Sequence, residues 1–91
     1  MVQILWKSSE PHSPAKDHDL VELRLVDLGE TMKSRYLVRE IHAFWSASGQ
    51  QIEWKGYKDH RFGTPQEAHL SFVTRKAVIA NAGFEHTTVL D

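Results

Sequence analysis

Residues 64–83 read TPQEAHLSFVTRKAVIANAG, and this stretch predicts one principal helix over about 65–82. Thr64 and Glu67 have the spacing of a capping box, and a proline occupies the first helical position between them. No further proline and no glycine interrupts the stretch before Gly83, which stands where a left-handed residue commonly ends a helix. The rest of the fold therefore depends on what packs against this helix.

The apolar residues of the predicted helix fall into two clusters around its axis, with a seam between them. One cluster contains Ala68, Phe72 and Ile79, the other contains Leu70, Val73, Ala77 and Ala80, and His69 and Lys76 lie in the seam. The apolar arc is about 200° wide, whereas a helix that covers one layer needs only about 100°. Three interpretations follow: one cluster faces a second copy of the chain, the helix sits deep in its own core with Lys76 extended along it, or an apolar ligand pocket lies beneath it.

Alternation of apolar and polar residues predicts strands before this helix, and short segments at both ends of the chain are also expected to form strands. The predicted strands are 2–6, 20–28, 35–45, 50–57 and a short one at 86–90. Two prolines and clustered polar residues predict a mobile loop at 8–19. The fold class is therefore α+β: one domain over 1–91, a small antiparallel sheet of four or five strands in the order β-β-β-β-α-β, and the helix on one face.

Strand 35–45 is apolar on both of its faces. The face that runs from Leu37 to Trp45 is expected to meet the core, so Tyr36, Val38 and Phe44 need another cover. A chain of this length has little left to supply one. We therefore expect a non-enzymatic interaction module that forms a homodimer, or binds another protein, through helix and sheet surfaces. The predicted interface consists of His69, Phe72, Val73, Lys76 and Ile79 with Tyr36, Val38 and Phe44.

Composition excludes several classes of protein. The 91 residues include no cysteine, so disulfides, thiolate nucleophiles and zinc–cysteine sites are impossible. No apolar run approaches the roughly 20 residues of a membrane span, and no signal peptide is evident, so a cytoplasmic protein without membrane contact is expected. The net charge of −1 does not favour a dedicated nucleic-acid binder. No cofactor is predicted.

One segment nevertheless supports nucleic-acid binding as an alternative function. Residues 54–62 read WKGYKDHRF, which interleaves cations with aromatic residues. Such a strand can contact phosphates and stack on bases. The residues predicted for this role are Lys55, Tyr57, Lys58 and Arg61.

A second alternative is a small enzyme or a metal site built from histidines that converge in space. The six are His12, His18, His42, His60, His69 and His86. No pair has the helical spacing of four that metal-binding motifs use, and no glycine elbow or phosphate-binding loop is present. No catalytic residue and no metal ligand is therefore predicted.

Overall fold

The computed structural model describes residues 1–8 and 15–90. Five strands and one helix follow one another along the chain: β1 (Val2–Trp6), β2 (His18–Asp27), β3 (Tyr36–Ser46), β4 (Gln51–Phe62), α1 (Pro65–Asn81) and β5 (His86–Leu90). The strands form one antiparallel sheet in the order β4-β3-β2-β1-β5. The predicted α+β architecture and element order are confirmed.

Two boundaries differ from the predictions by more than one residue. β4 runs to Phe62, five residues beyond the predicted end of this strand at residue 57, because its second half pairs with the first half of β3. β2 begins at His18, so the last two residues of the predicted 8–19 loop belong to the sheet. The centre of that loop, 9–14, lies outside the described residues.

The two ends of α1 use the signals that the sequence predicts, with one difference. The backbone N–H of Glu67 donates to the Thr64 hydroxyl oxygen (3.3 Å), as an N-cap requires. The Glu67 carboxylate accepts a hydrogen bond from that same hydroxyl (2.9 Å), instead of the reciprocal bond from the Thr64 amide that a capping box predicts. Beyond the helix, Gly83 has a φ of +104°, which residues with a side chain rarely adopt.

α1 covers one face of the sheet and forms the main core with it. The buried members of this core are Leu5, Val21, Leu23 and Val38 from the sheet and Ala68, Phe72 and Ile79 from the helix. The helix and the main core lie on the face of β3 that carries Val38, so the expectation that the Leu37–Trp45 face meets this core is wrong. Alternation alone could not decide between two apolar faces. Glu40 on the covered face is compatible with burial because Arg75 of α1 pairs with it.

The other face of the sheet, here called the open face, carries a second cluster. Trp6, Leu20 and Ala43 are buried there, and Trp45 is partly buried beside them. The His18 ring lies between the two tryptophans, with centroid distances of 5.8 Å to Trp6 and 6.5 Å to Trp45. The indole N–H of Trp6 donates to the Thr88 hydroxyl (3.0 Å), which ties β1 to β5. Apolar residues on both faces of β3 are thus divided between two clusters.

Candidate functional site on the open sheet face

A β-bulge brings two aromatic side chains of β4 to the open face. Trp54 pairs with Ala43 and Tyr57 pairs with Ile41, with the register shift between these two pairs. Directly paired residues share a face, so Trp54 and Tyr57 point to the same side although they are three positions apart. The extra residue of the bulge is Lys55. Strict alternation would have placed the two rings on opposite faces.

The two rings border a shallow depression on a surface that is otherwise charged. Trp54 is 60 % exposed and Tyr57 is 65 % exposed. Between them and β2 lies a depression of about 270 Å³ whose lining includes Ile41 and the Glu22 and Arg24 side chains. We call the surface formed by Trp54, Tyr57 and Ile41 the aromatic patch. Large exposed aromatic side chains of this kind are enriched at binding interfaces.

Most charges around the aromatic patch are paired within the chain. Arg39 donates two hydrogen bonds to Asp59, at 2.7 and 2.8 Å, and its guanidinium carbon lies 4.8 Å from the centroid of the Tyr57 ring. The hydrogen bonds from Arg39 hold the pKa of Asp59 below its usual value. Arg24 pairs with Glu22 beside them. Arg61 is exposed on the same face and forms no ion pair within 4 Å of a described residue, although its charge also helps to lower the pKa of the nearby Asp59 carboxyl. The patch is therefore close to neutral, with one unpaired cation at its edge.

The sheet separates the residues that the sequence predicts for nucleic-acid binding. Tyr57 and Arg61 lie on the open face, opposite Ile41 and Leu37. Lys58 pairs with Glu40 and lies on the covered face. The Lys55 ammonium is 5.3 Å from the centre of the Phe44 ring, and it also lies 3.5 Å from an Asp19 carboxylate oxygen on that side. The continuous basic and aromatic ribbon of the sequence is therefore split between two faces.

The predicted interface residues are also divided, in this case between core and surface. Phe72, Val38 and Ile79 are at most 4 % exposed and belong to the core of the single chain. Tyr36 packs against that core, and Phe44 is half-buried. The remaining three lie on the helix: Lys76 is half-buried, whereas His69 and Val73 are exposed. Sequence periodicity found these apolar residues but could not tell which of them the monomer itself uses.

The two apolar clusters of α1 have different surroundings: one faces the sheet and the other is exposed. The cluster of Ala68, Phe72 and Ile79 is buried against the sheet. The cluster of Leu70, Val73, Ala77 and Ala80 is exposed, with Leu70 at 68 %. We call this second cluster the helix stripe. The interpretation of a helix seated deep in its own core is wrong, because half of the apolar arc remains outside it.

Histidines do not assemble into a metal site in the described part of the chain. No group of three or more His, Asp or Glu side chains there has the geometry to hold a metal ion. His18 lies between two indoles, and its Nδ1 is 2.9 Å from the Lys16 carbonyl oxygen. The Nε2 of His42 lies 2.6 Å from the buried carboxylate of Glu40. His12 lies outside the described residues.

Comparison of the chain with protein-family models, with curated proteins and with solved structures finds no match. Among the described residues, no helix is both long enough and apolar enough to cross a membrane.

Proposed function

We propose that the protein is a non-enzymatic binding module that self-associates through the aromatic patch on its open sheet face. The observation that carries this proposal is the bulge that places Trp54 and Tyr57 on one face and leaves each more than half exposed. Tryptophan, tyrosine and arginine are the residues that most often dominate protein–protein binding energies. All three types meet on this surface.

The charge pattern supports a protein partner. Arg39 and Arg24 are already paired with Asp59 and Glu22, so among the described arginines around the aromatic patch Arg61 alone has no ion pair to break before it contacts a phosphate. A nucleic-acid surface needs several unpaired cations, because phosphate contacts supply most of the affinity. An apolar centre with paired charges around it is instead the usual composition of a protein interface.

A second copy of the chain is the partner that complements this surface. Trp54 and Arg61 are seven residues apart on one strand, about 20 Å, so they cannot meet within a chain. In a dimer whose twofold axis passes near Tyr57, the β4 strands of the two copies face each other and are antiparallel. Trp54 of one copy then lies over Arg61 of the other. Each exposed indole then receives the unpaired guanidinium through a cation–π contact, twice in the dimer. Each copy contributes only the aromatic patch and Arg61 to these contacts, so we expect a weak dimer with a micromolar dissociation constant.

Light scattering across low to high micromolar concentrations tests the proposal. Loss of the indole in Trp54→Ala or of the guanidinium in Arg61→Gln should each raise the dimer dissociation constant about tenfold or more, because each contact occurs twice. Lys58→Gln is the matched control: it removes the same charge from the opposite face of β4 and should leave the constant unchanged. Leu70→Ser tests the helix stripe. If Leu70→Ser dissociates the dimer and Trp54→Ala does not, the aromatic patch is not the interface.

Nucleic-acid binding is retained as a second candidate because Trp54 and Tyr57 are both more than half exposed on one face, as a base-stacking platform requires. A labelled single-stranded oligonucleotide decides between the two functions. Anisotropy that rises at low salt, falls steeply with added salt and is lost in Tyr57→Ala would favour nucleic acid. The cation–π contacts of the proposed dimer are partly buried in the interface and are screened much less, so its mass should change little as salt rises.

A further inference from the structure

A groove on the covered face, between α1 and β4, carries a set of polar groups that the proposed interface does not use. Its volume is about 310 Å³, and it is lined by Glu40, Lys58, His60, Ser71 and Arg75. Lys58 and His60 alternate along β4 and form one wall. Ser71 and Arg75 are one helical turn apart and form the other.

Arg75 is held in place at the floor of this groove. The Glu40 carboxylate is 4 % exposed and accepts hydrogen bonds from Nε (2.8 Å) and Nη2 (3.2 Å) of Arg75. A guanidinium has five N–H donors, so this pairing leaves its Nη1 group available to the groove. The arginine therefore does not have to be ordered when a ligand arrives, which lowers the entropic cost of binding.

The other donors of the groove have no partner among residues 1–8 and 15–90. The Lys58 ammonium, the His60 ring and the Ser71 hydroxyl make no hydrogen bond or ion pair with those residues. With Lys58 and Arg75 positive, Glu40 negative and His60 neutral, the lining of this groove carries a formal net charge of +1. Cationic and neutral donors that converge from both walls suit a compact anion with several oxygen atoms.

The groove continues into an apolar depression along the same helix. This second depression, of about 330 Å³, shares Ser71 and Arg75 with the first and adds Phe62, Leu70, Thr74 and Glu67. The Glu67 carboxylate accepts a hydrogen bond from the Thr64 hydroxyl at the start of the helix. A ligand that spans both would place its anionic end between Lys58 and Arg75 and an apolar body against Phe62 and Leu70. The combined size is within the range of small-molecule sites.

We propose that this groove binds a small phosphate monoester with an apolar or aromatic body. The phosphate oxygens accept hydrogen bonds from Lys58, His60, Ser71 and Arg75. The body of the ligand packs on Phe62 and Leu70. This site lies on the opposite side of the sheet from the aromatic patch, so it does not depend on the proposed dimer.

Phenyl phosphate and inorganic phosphate are the probes that test the proposal, titrated into the full chain at constant ionic strength and followed by amide NMR shifts. Both should give saturable shifts centred on 58–60 and 71–75. Phenyl phosphate should bind about fivefold more tightly, because its ring buries apolar area that inorganic phosphate lacks. Leu70→Ala should lower the affinity for phenyl phosphate and leave the affinity for inorganic phosphate unchanged.

Two lysine variants distinguish binding in this groove from non-specific electrostatic attraction of the phosphate. Lys58→Gln should weaken phenyl phosphate about fivefold or more, through loss of a charge-assisted hydrogen bond. Lys55→Gln removes the same charge from the same strand outside the groove and should change binding less than about twofold. Shifts that do not saturate, equal losses in both variants, or equal affinity for the two probes would each overturn the proposal.

Discussion

The substitution Glu40→Gln tests the contact that fixes α1 on the sheet. Glu40 is buried and receives two hydrogen bonds from Arg75, while the Nε2 of His42 lies 2.6 Å from the same carboxylate. A hydrogen bond to a charged group is worth about 1.5–3 kcal/mol. The Arg75 and His42 side chains are 40 % and 46 % exposed, so water replaces part of what they lose. Glutamine also keeps one acceptor, and we expect a net loss of about 2 kcal/mol in the free energy of unfolding.

Urea unfolding of the wild type and Glu40→Gln from pH 7 to pH 3 measures how much the substitution lowers the free energy of unfolding and how that loss changes with pH. Burial alone would raise the pKa of Glu40, but its hydrogen bonds to Arg75 and His42 hold that pKa below the ordinary value of 4.5. The unfolded chain therefore takes up this proton at a higher pH than the folded chain, and the contribution of Glu40 is lost as pH falls below the ordinary value. Glutamine does not titrate, so the difference between wild type and variant should shrink over that range.

Glu53→Gln is the matched control for this substitution, because Glu53 is exposed on β4 and has no ion pair with the described residues. It should change the free energy of unfolding by less than about 0.5 kcal/mol. At pH 7, Glu40→Gln should also lower the melting temperature by roughly 8–16 °C for a domain of this size. A loss below about 0.5 kcal/mol, or a difference that stays constant down to pH 3, would refute the role assigned to Glu40.

Four further outcomes follow from the same structure. Phe72→Ala should cost about 3–5 kcal/mol in chemical unfolding because the ring is fully buried between helix and sheet, and a loss near zero would contradict that burial. Thr64→Ala should lower the free energy of unfolding, measured in urea, by about 1 kcal/mol through loss of the N-cap; an unchanged free energy would contradict the role of this cap. Acrylamide quenching of Trp54 should fall as protein concentration rises; quenching independent of concentration would mean that the indole stays in water. Deletion of Lys55 should leave a regular strand with both rings still on the open face, so the dimer should survive, and its loss would contradict the assigned register.

Periodicity predicted the elements of this fold well because most of them have one clear signal. The N-cap at Thr64 and the glycine at 83 delimit α1 to within one residue of the predicted 65–82. The two short strands at the ends of the chain have the bounds that the sequence predicts. These signals are local, so no knowledge of the tertiary structure was needed to interpret them.

The sheet face and the functional surface could not be predicted in this way, because both depend on contacts between distant residues. β3 is apolar on both faces, and the face that the helix covers depends on long-range contacts such as the pairing of Glu40 with Arg75, thirty-five residues away. The common orientation of Trp54 and Tyr57 depends on a bulge opposite His42 and Ala43 of β3. The one local hint was a glycine at position 56 inside an otherwise regular strand, since such glycines often mark bulges.

The most direct test of self-association through the aromatic patch is the mass of the chain in solution. It is measured for the wild type and for Trp54→Ala from low to high micromolar concentration. We expect the wild type to approach twice its chain mass of 10.5 kDa at the high end of that range. The variant should stay closer to the mass of a single chain than the wild type at every concentration in this range. It should keep the same circular dichroism and, at low micromolar concentration, where the wild type is mostly monomeric, the same unfolding midpoint. A wild type that stays at 10.5 kDa at every concentration, or a variant that dimerises as well as the wild type, would contradict the assignment of the aromatic patch as the self-association surface.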